Sequence, residues 1–103
     1  MQATIAKIKT LENFLNKHGD DTYIANTLAK MLDYKIQQYD KDVAALQDDL
    51  RVFEKKHAMT SAEFFSKFQK GGIGDEMDFI EWAALYRMRQ NLLEKKEVLA
   101  GAK

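Results

Sequence analysis

Apolar residues in this 103-residue chain recur at the three- and four-residue spacings of an α-helix, and no segment has the strict alternation of a half-buried strand. Ile5, Ile8, Leu11 and Leu15 form a first stripe, which Gly19 ends where a left-handed residue closes a helix. The spacing predicts a helix over about 3–18. Asp20 or Asp21 can cap the next helix, which meets neither Gly nor Pro up to residue 57 and is predicted over about 21–57. In it Leu32, Ile36, Tyr39, Val43, Leu46, Leu50 and Phe53 alternate spacings of four and three, the heptad seam of a coiled coil that could also drive self-association. Ala25 and Ala29 extend the seam backwards, and Ile24, Leu28 and Met31 lie beside it, widening the face that the first helix could cover. At its helical rise this segment reaches about 54 Å, longer than a small compact domain is wide, so it must protrude or pair.

Further on, Thr60 and Glu63 have the spacing of a capping box, with Ser61 an alternative cap, and a short helix over about 61–69 carries Phe64, Phe65 and Phe68. Gly71, Gly72 and Gly74 stop it. Asp75 can cap the last helix, predicted over about 76–98, with Glu76 and Asp78 where the helix dipole favours negative charge. On that helix Phe79, Trp82 or Ala83, Tyr86 and Leu93 share one face, while Leu85, Met88, Leu92 and Leu99 share another. The expected fold is all-α: a coiled-coil-like helical hairpin of the long central helix and the C-terminal helix, joined by a short aromatic helix, with the first helix against its base. Neither an internal repeat nor a Pro-, Gly- or Ser-rich linker divides the chain, so one domain over 1–103 is expected.

Composition narrows the function. Proline and cysteine are absent, so helices run unbroken and neither a disulfide nor a cysteine zinc site can form. Sixteen basic residues balance sixteen acidic ones, leaving no overall field for nucleic acid or an anionic membrane. No apolar run has the length of a signal peptide or a membrane span. A cytoplasmic protein without a cofactor is expected.

Candidate chemistry is sparse. Arg51 and His57, with five residues between them, are similar to the signature pair of the HEPN ribonucleases, which would make His57 a general acid or base and Arg51 a phosphate holder. Six helical steps lean the two side chains to opposing faces, however, and Val52 stands where that family favours a polar residue. His57 and His18 are better placed to complement helix C-termini. The acidic group Asp75, Glu76, Asp78 and Glu81 lacks the ligand spacing of a calcium loop, and no strand or GK[ST] accompanies the GGIG turn. A helix-turn-helix reader would present its second helix to DNA, but here that helix opens with DEMDFIE, which repels phosphate. No catalytic or metal-binding residue and no strong nucleic-acid binding are expected.

What remains is the aromatic cluster around the glycine turn. Consecutive Phe64 and Phe65, like Phe79 and Ile80, point about 100° apart on a helix, so part of the cluster is expected to face solvent and await a partner. The residues expected to bind it are Phe65, Asp75, Met77, Asp78, Phe79, Glu81, Trp82 and Tyr86.

The block from Leu50 to Met88 resembles a group of small prokaryotic helical proteins with a pattern like F-E-x-K-Y-G-M-x-S-x-E-F-x-x-x-F-x-x-G-x-L-G-D-D-x-D-x-x-E-W. Phe53, Met59, Phe64, Phe68, Gly71, Gly74, Asp75, Asp78, Glu81 and Trp82 fit it, while His57 and Ala58 replace Tyr-Gly and Glu76 replaces a second Asp. These proteins look like the antitoxin halves of toxin/antitoxin pairs. The resemblance implies a helical hairpin that occludes a cognate small toxin, a nuclease, with Asp75, Asp78 and Glu81 pairing with its basic groups. The rival expectation is a homo-oligomeric scaffold, a homodimer closed by the Leu32–Phe53 seam, and the two can coexist.

Overall fold

The computed structural model of the protein describes residues 2–74 and 76–101. It is all-α, with no strand among the described residues: α1 (Gln2–His18), α2 (Thr22–His57), α3 (Ser61–Gln69) and α4 (Met77–Leu99). Each boundary has a chemical cause. Gly19, at φ 87°, donates its N–H to the Leu15 carbonyl to close α1, and the Asp21 carboxylate accepts from the Ile24 N–H to open α2. At α3 the Thr60 hydroxyl accepts from the Glu63 N–H while the Glu63 carboxylate accepts from Thr60, the reciprocal box expected there. The same helix ends in a Schellman motif: Gly71, at φ 74°, donates to the Phe68 carbonyl and Gly72 to that of Lys67. Glu76 flanks the start of α4 without a side-chain cap, and Asp75, the cap expected from the sequence, lies outside the described residues.

The chain divides into two compact units, one up to Asp33 and one from Tyr34 onward. In the first, no described residue is fully buried. Its half-buried apolar side chains, Leu11 and Leu15 on one side of Gly19 and Ile24, Ala25 and Leu28 on the other, all lie near the turn.

The second unit holds the core. There α2 and α4 run antiparallel, a register fixed by Asp40 bonded to Lys96 at 2.6 Å, Phe53 stacked on Trp82, and Lys56 bonded to Asp78 at 2.6 Å. The heptad seam is what α4 covers: Leu46 and Leu50 are buried, and Ile36, Tyr39, Val43 and Phe53 half-buried, whereas Leu32, in the first unit, is exposed. From Tyr39 to Phe53 the seam is therefore occupied within one chain. Leu50, Phe64, Phe79, Trp82 and Ala83 form the core cluster, with α3 laid across α4.

Candidate protein-binding surface

Trp82 and Phe64 sit at the centre of the core, both with no exposed surface. Their rings stack face to face, 3.9 Å between centroids and 2° from parallel, and Phe53 and His57 stack on Trp82 at 5.7 and 5.5 Å. The indole N–H donates to Ser61 Oγ at 2.9 Å, and that hydroxyl donates to Glu54 Oε2 at 2.7 Å, which also accepts from the Ser61 backbone N–H. One polar chain thus ties α4 to α3 and α2 with every member satisfied. The sequence reading missed Glu54 and Ser61 as a pair. The available signal was a buried tryptophan that needs an acceptor, with a serine at the start of the preceding helix.

Two of the residues expected to bind a partner lie inside the core. Trp82 and Phe79 are buried, Phe79 against Phe64 and His57, because α4 turns this aromatic face toward α2 and α3. Their replacement should damage the fold rather than a docking contact. Phe65 and Tyr86 are half-buried against each other at 4.7 Å, with the Arg87 guanidinium over the Phe65 ring. Asp78, half-buried, is bonded to Lys56, with His57 Nε2 at 3.5 Å but no hydrogen bond to it. The Lys56 bond holds the Asp78 carboxyl below its ordinary value, and the same bond raises Lys56. Asp78 is thus committed inside the chain, while Glu81 is exposed and Asp75 lies outside the described residues.

A different face of α4 is open. Met77, Ile80, Ala84 and Met88 recur at helical spacing on the side opposite Phe79, Trp82, Ala83 and Tyr86, and all four are exposed, Met77 by 78%. Glu76 and Glu81 flank the start of this stripe. At its far end Met88 lines a groove of about 650 Å³ between α2 and α4, shared with Asp42, Ala45, Leu46, Arg87, Asn91 and Leu92. The first three turns of α4 are therefore apolar on two faces, one covered and one not.

Arg51 and His57 face different tasks. The Arg51 guanidinium is bonded to Asp48 at 2.8 Å and lines a cleft with Gln47, Tyr86 and Arg89, whereas His57 packs on Phe79 and Trp82. His18 stacks against Phe14 at 5.2 Å. Among the described residues, no group of three or more His, Asp or Glu side chains is placed to hold a metal ion, and no helix is long and apolar enough to cross a membrane. The chain matches no family model, no curated protein and no solved structure.

Proposed function

We propose that this protein acts by binding another protein, through the open stripe of α4, rather than by catalysis. One observation carries this: Met77, Ile80 and Met88 stay exposed on the side of α4 turned away from the aromatic core. Methionine suits such a surface because its flexible, polarisable side chain adapts to a partner's shape. Glu76 and Glu81 at one end favour a partner with basic groups around an apolar patch. In the finer form of the proposal, resting on the resemblance of the Leu50–Met88 block, the chain is a prokaryotic antitoxin whose rigid hairpin covers the active site of a small nuclease toxin.

The test is to tag the protein in its source organism, weigh what co-purifies, and repeat with Met77→Glu combined with Ile80→Glu. A stoichiometric small basic protein that is lost from the variant, with circular dichroism unchanged, is the expected result. Nothing stoichiometric, or a partner retained by the variant, overturns the proposal. Capture of a basic partner without nuclease activity overturns only the toxin assignment.

A further inference from the structure

We infer that the cleft between α2, α4 and the start of α3 is a binding site for a small phosphate monoester that also carries a free hydroxyl. The cleft has a volume of about 350 Å³, inside the range of roughly 300–1,000 Å³ usual for small-ligand sites. Buried Leu50 and Ser61 line it, and so do Arg51 from α2 and Arg89 from α4, with the half-buried Tyr86 and Gln47 adding a hydroxyl and an amide. Charge in the cleft is unbalanced. Glu54 is the one carboxylate among the described residues that line it, and neither guanidinium pairs with it. Glu54 Oε2 accepts from the Ser61 hydroxyl and backbone N–H, Arg51 is bonded to Asp48, and Arg89 donates to the Gln90 amide oxygen at 3.0 Å. Arg89 is half-buried, yet among the described residues no carboxylate stands within ion-pair distance of it. A guanidinium that has lost part of its water without gaining an anion favours one from solution. Arg51 can join it, because an exposed ion pair three residues apart on a helix contributes little.

Two guanidinium forks select the anion. A carboxylate presents two oxygens and a single charge, whereas a phosphate monoester presents three oxygens and close to a double charge. The start of α3 adds a donor: the N–H groups of Ser61, Glu63 and Phe64 are bonded to Glu54, the Thr60 hydroxyl and the Thr60 carbonyl, while that of Ala62, which lines the cleft, has no partner among the described residues. Glu54 narrows the rest of the ligand. Its Oε1 accepts no hydrogen bond among the described residues, and a carboxylate oxygen beside a phosphate repels it unless a donor stands between them, so the alcohol part supplies a hydroxyl. A nucleic-acid strand fits less well. Asp48 and Glu63, bonded to the cleft residues Arg51 and Thr60, border the site with negative charge, and nothing extends the two arginines into a track for a backbone. The cleft shares no residue with the α4 stripe, so it is independent of the protein binding proposed above.

Calorimetric titration of the purified full-length chain with glycerol phosphate at low salt should show saturable binding that is absent with glycerol and severalfold weaker with methyl phosphate, which brings no hydroxyl to Glu54. Arg89→Gln and Arg51→Gln should each weaken it about tenfold or more, with circular dichroism unchanged, because the charged hydrogen bonds of one fork are lost. Arg89→Lys, which keeps the charge without the fork, should recover part of the affinity. Met77→Glu with Ile80→Glu, on the other face of α4, should leave it unchanged. No binding, binding indifferent to both arginine changes, or methyl phosphate held as tightly as glycerol phosphate overturns the inference. A single-stranded RNA oligonucleotide bound more tightly than glycerol phosphate overturns it in favour of a nucleic-acid surface.

Discussion

The two units of this chain are built from the same material and finished differently. Up to Asp33 an amphipathic helix and the start of a second carry regular apolar stripes, yet no described side chain there is fully buried. From Tyr34 onward a stripe of the same period is closed by α4 and by an aromatic cluster whose central tryptophan has no exposed surface. Helical period thus tells which face of a helix is apolar, but not what covers it. Coverage depends on a third element. The second unit has α3, nine residues whose one fully buried phenylalanine fills the space between α2 and α4.

The largest effect should come from emptying that space. Trp82→Ala removes the side chain on which Phe53, His57 and Phe64 stack, and should cost about 3–5 kcal/mol in urea unfolding followed by circular dichroism. Ile8→Ala, at a position 56% exposed, should cost well under about 1 kcal/mol in a monomeric sample. Equal costs would mean that the two units do not differ in packing. Next comes Ser61→Ala, which strips the indole N–H of its acceptor and the Glu54 carboxylate of a donor in a site with little water. About 1–3 kcal/mol should be lost. Ser61→Thr, which keeps the hydroxyl, should recover part of it; an Ala variant as stable as the parent would show that the polar chain is ornamental.

The all-α class and the α2–α4 pairing were legible because both follow from spacing: a proline-free chain, an unbroken heptad seam from Ile36 to Phe53, and glycines where left-handed turns are needed. The Thr60–Glu63 box was legible because both halves of it are local. The placement of the aromatic residues was less legible. From composition, Trp82 looked like a hot spot, since tryptophan dominates both interfaces and cores and the sequence does not say which. The helical wheel held part of the answer: Phe79, Trp82, Ala83 and Tyr86 lie on the face with the greater aromatic volume, leaving Met77, Ile80 and Met88 on the other. Which face wins depends on volumes contributed by Phe53 and Phe64, residues far away in the chain.

A smaller effect sits in the backbone between α2 and α3. Ala58 adopts φ 53°, the left-handed region that glycine enters without steric cost, because the chain must reverse within three residues between His57 and Ser61. Ala58→Gly should relieve more strain than it adds in unfolded-chain entropy and stabilise the second unit by about 0.5–1 kcal/mol. Thermal melts of Ala58→Gly and Ala58→Val, moving in opposite directions, would confirm it. A glycine variant that melts lower than the parent would mean that the turn carries no strain.

The smallest effect separates the units by pH. Every ion pair found among the described residues lies after Asp33, and one, Lys56 with Asp78, joins the end of α2 to the first turn of α4. The hydrogen bond from Lys56 holds Asp78 below its ordinary 3.8, with His57 adding to the effect when it carries a proton. A carboxyl lowered in the folded state contributes stability above its unfolded value, and that contribution fades as pH falls below 3.8 toward the folded value. Lys56, raised above 10.5 by the same bond, contributes below that value and loses the contribution as pH climbs through the folded one. Because Lys56 is largely in solvent, the gain is small and salt-sensitive. Asp78→Asn should therefore melt slightly below the parent at neutral pH and low salt, with the gap narrowing below pH 3.8 and again above 10.5. A gap that persists undiminished into acid would mean that Asp78 acts through hydrogen bonding or packing rather than charge. One that vanishes in moderate salt at neutral pH would support the ion pair.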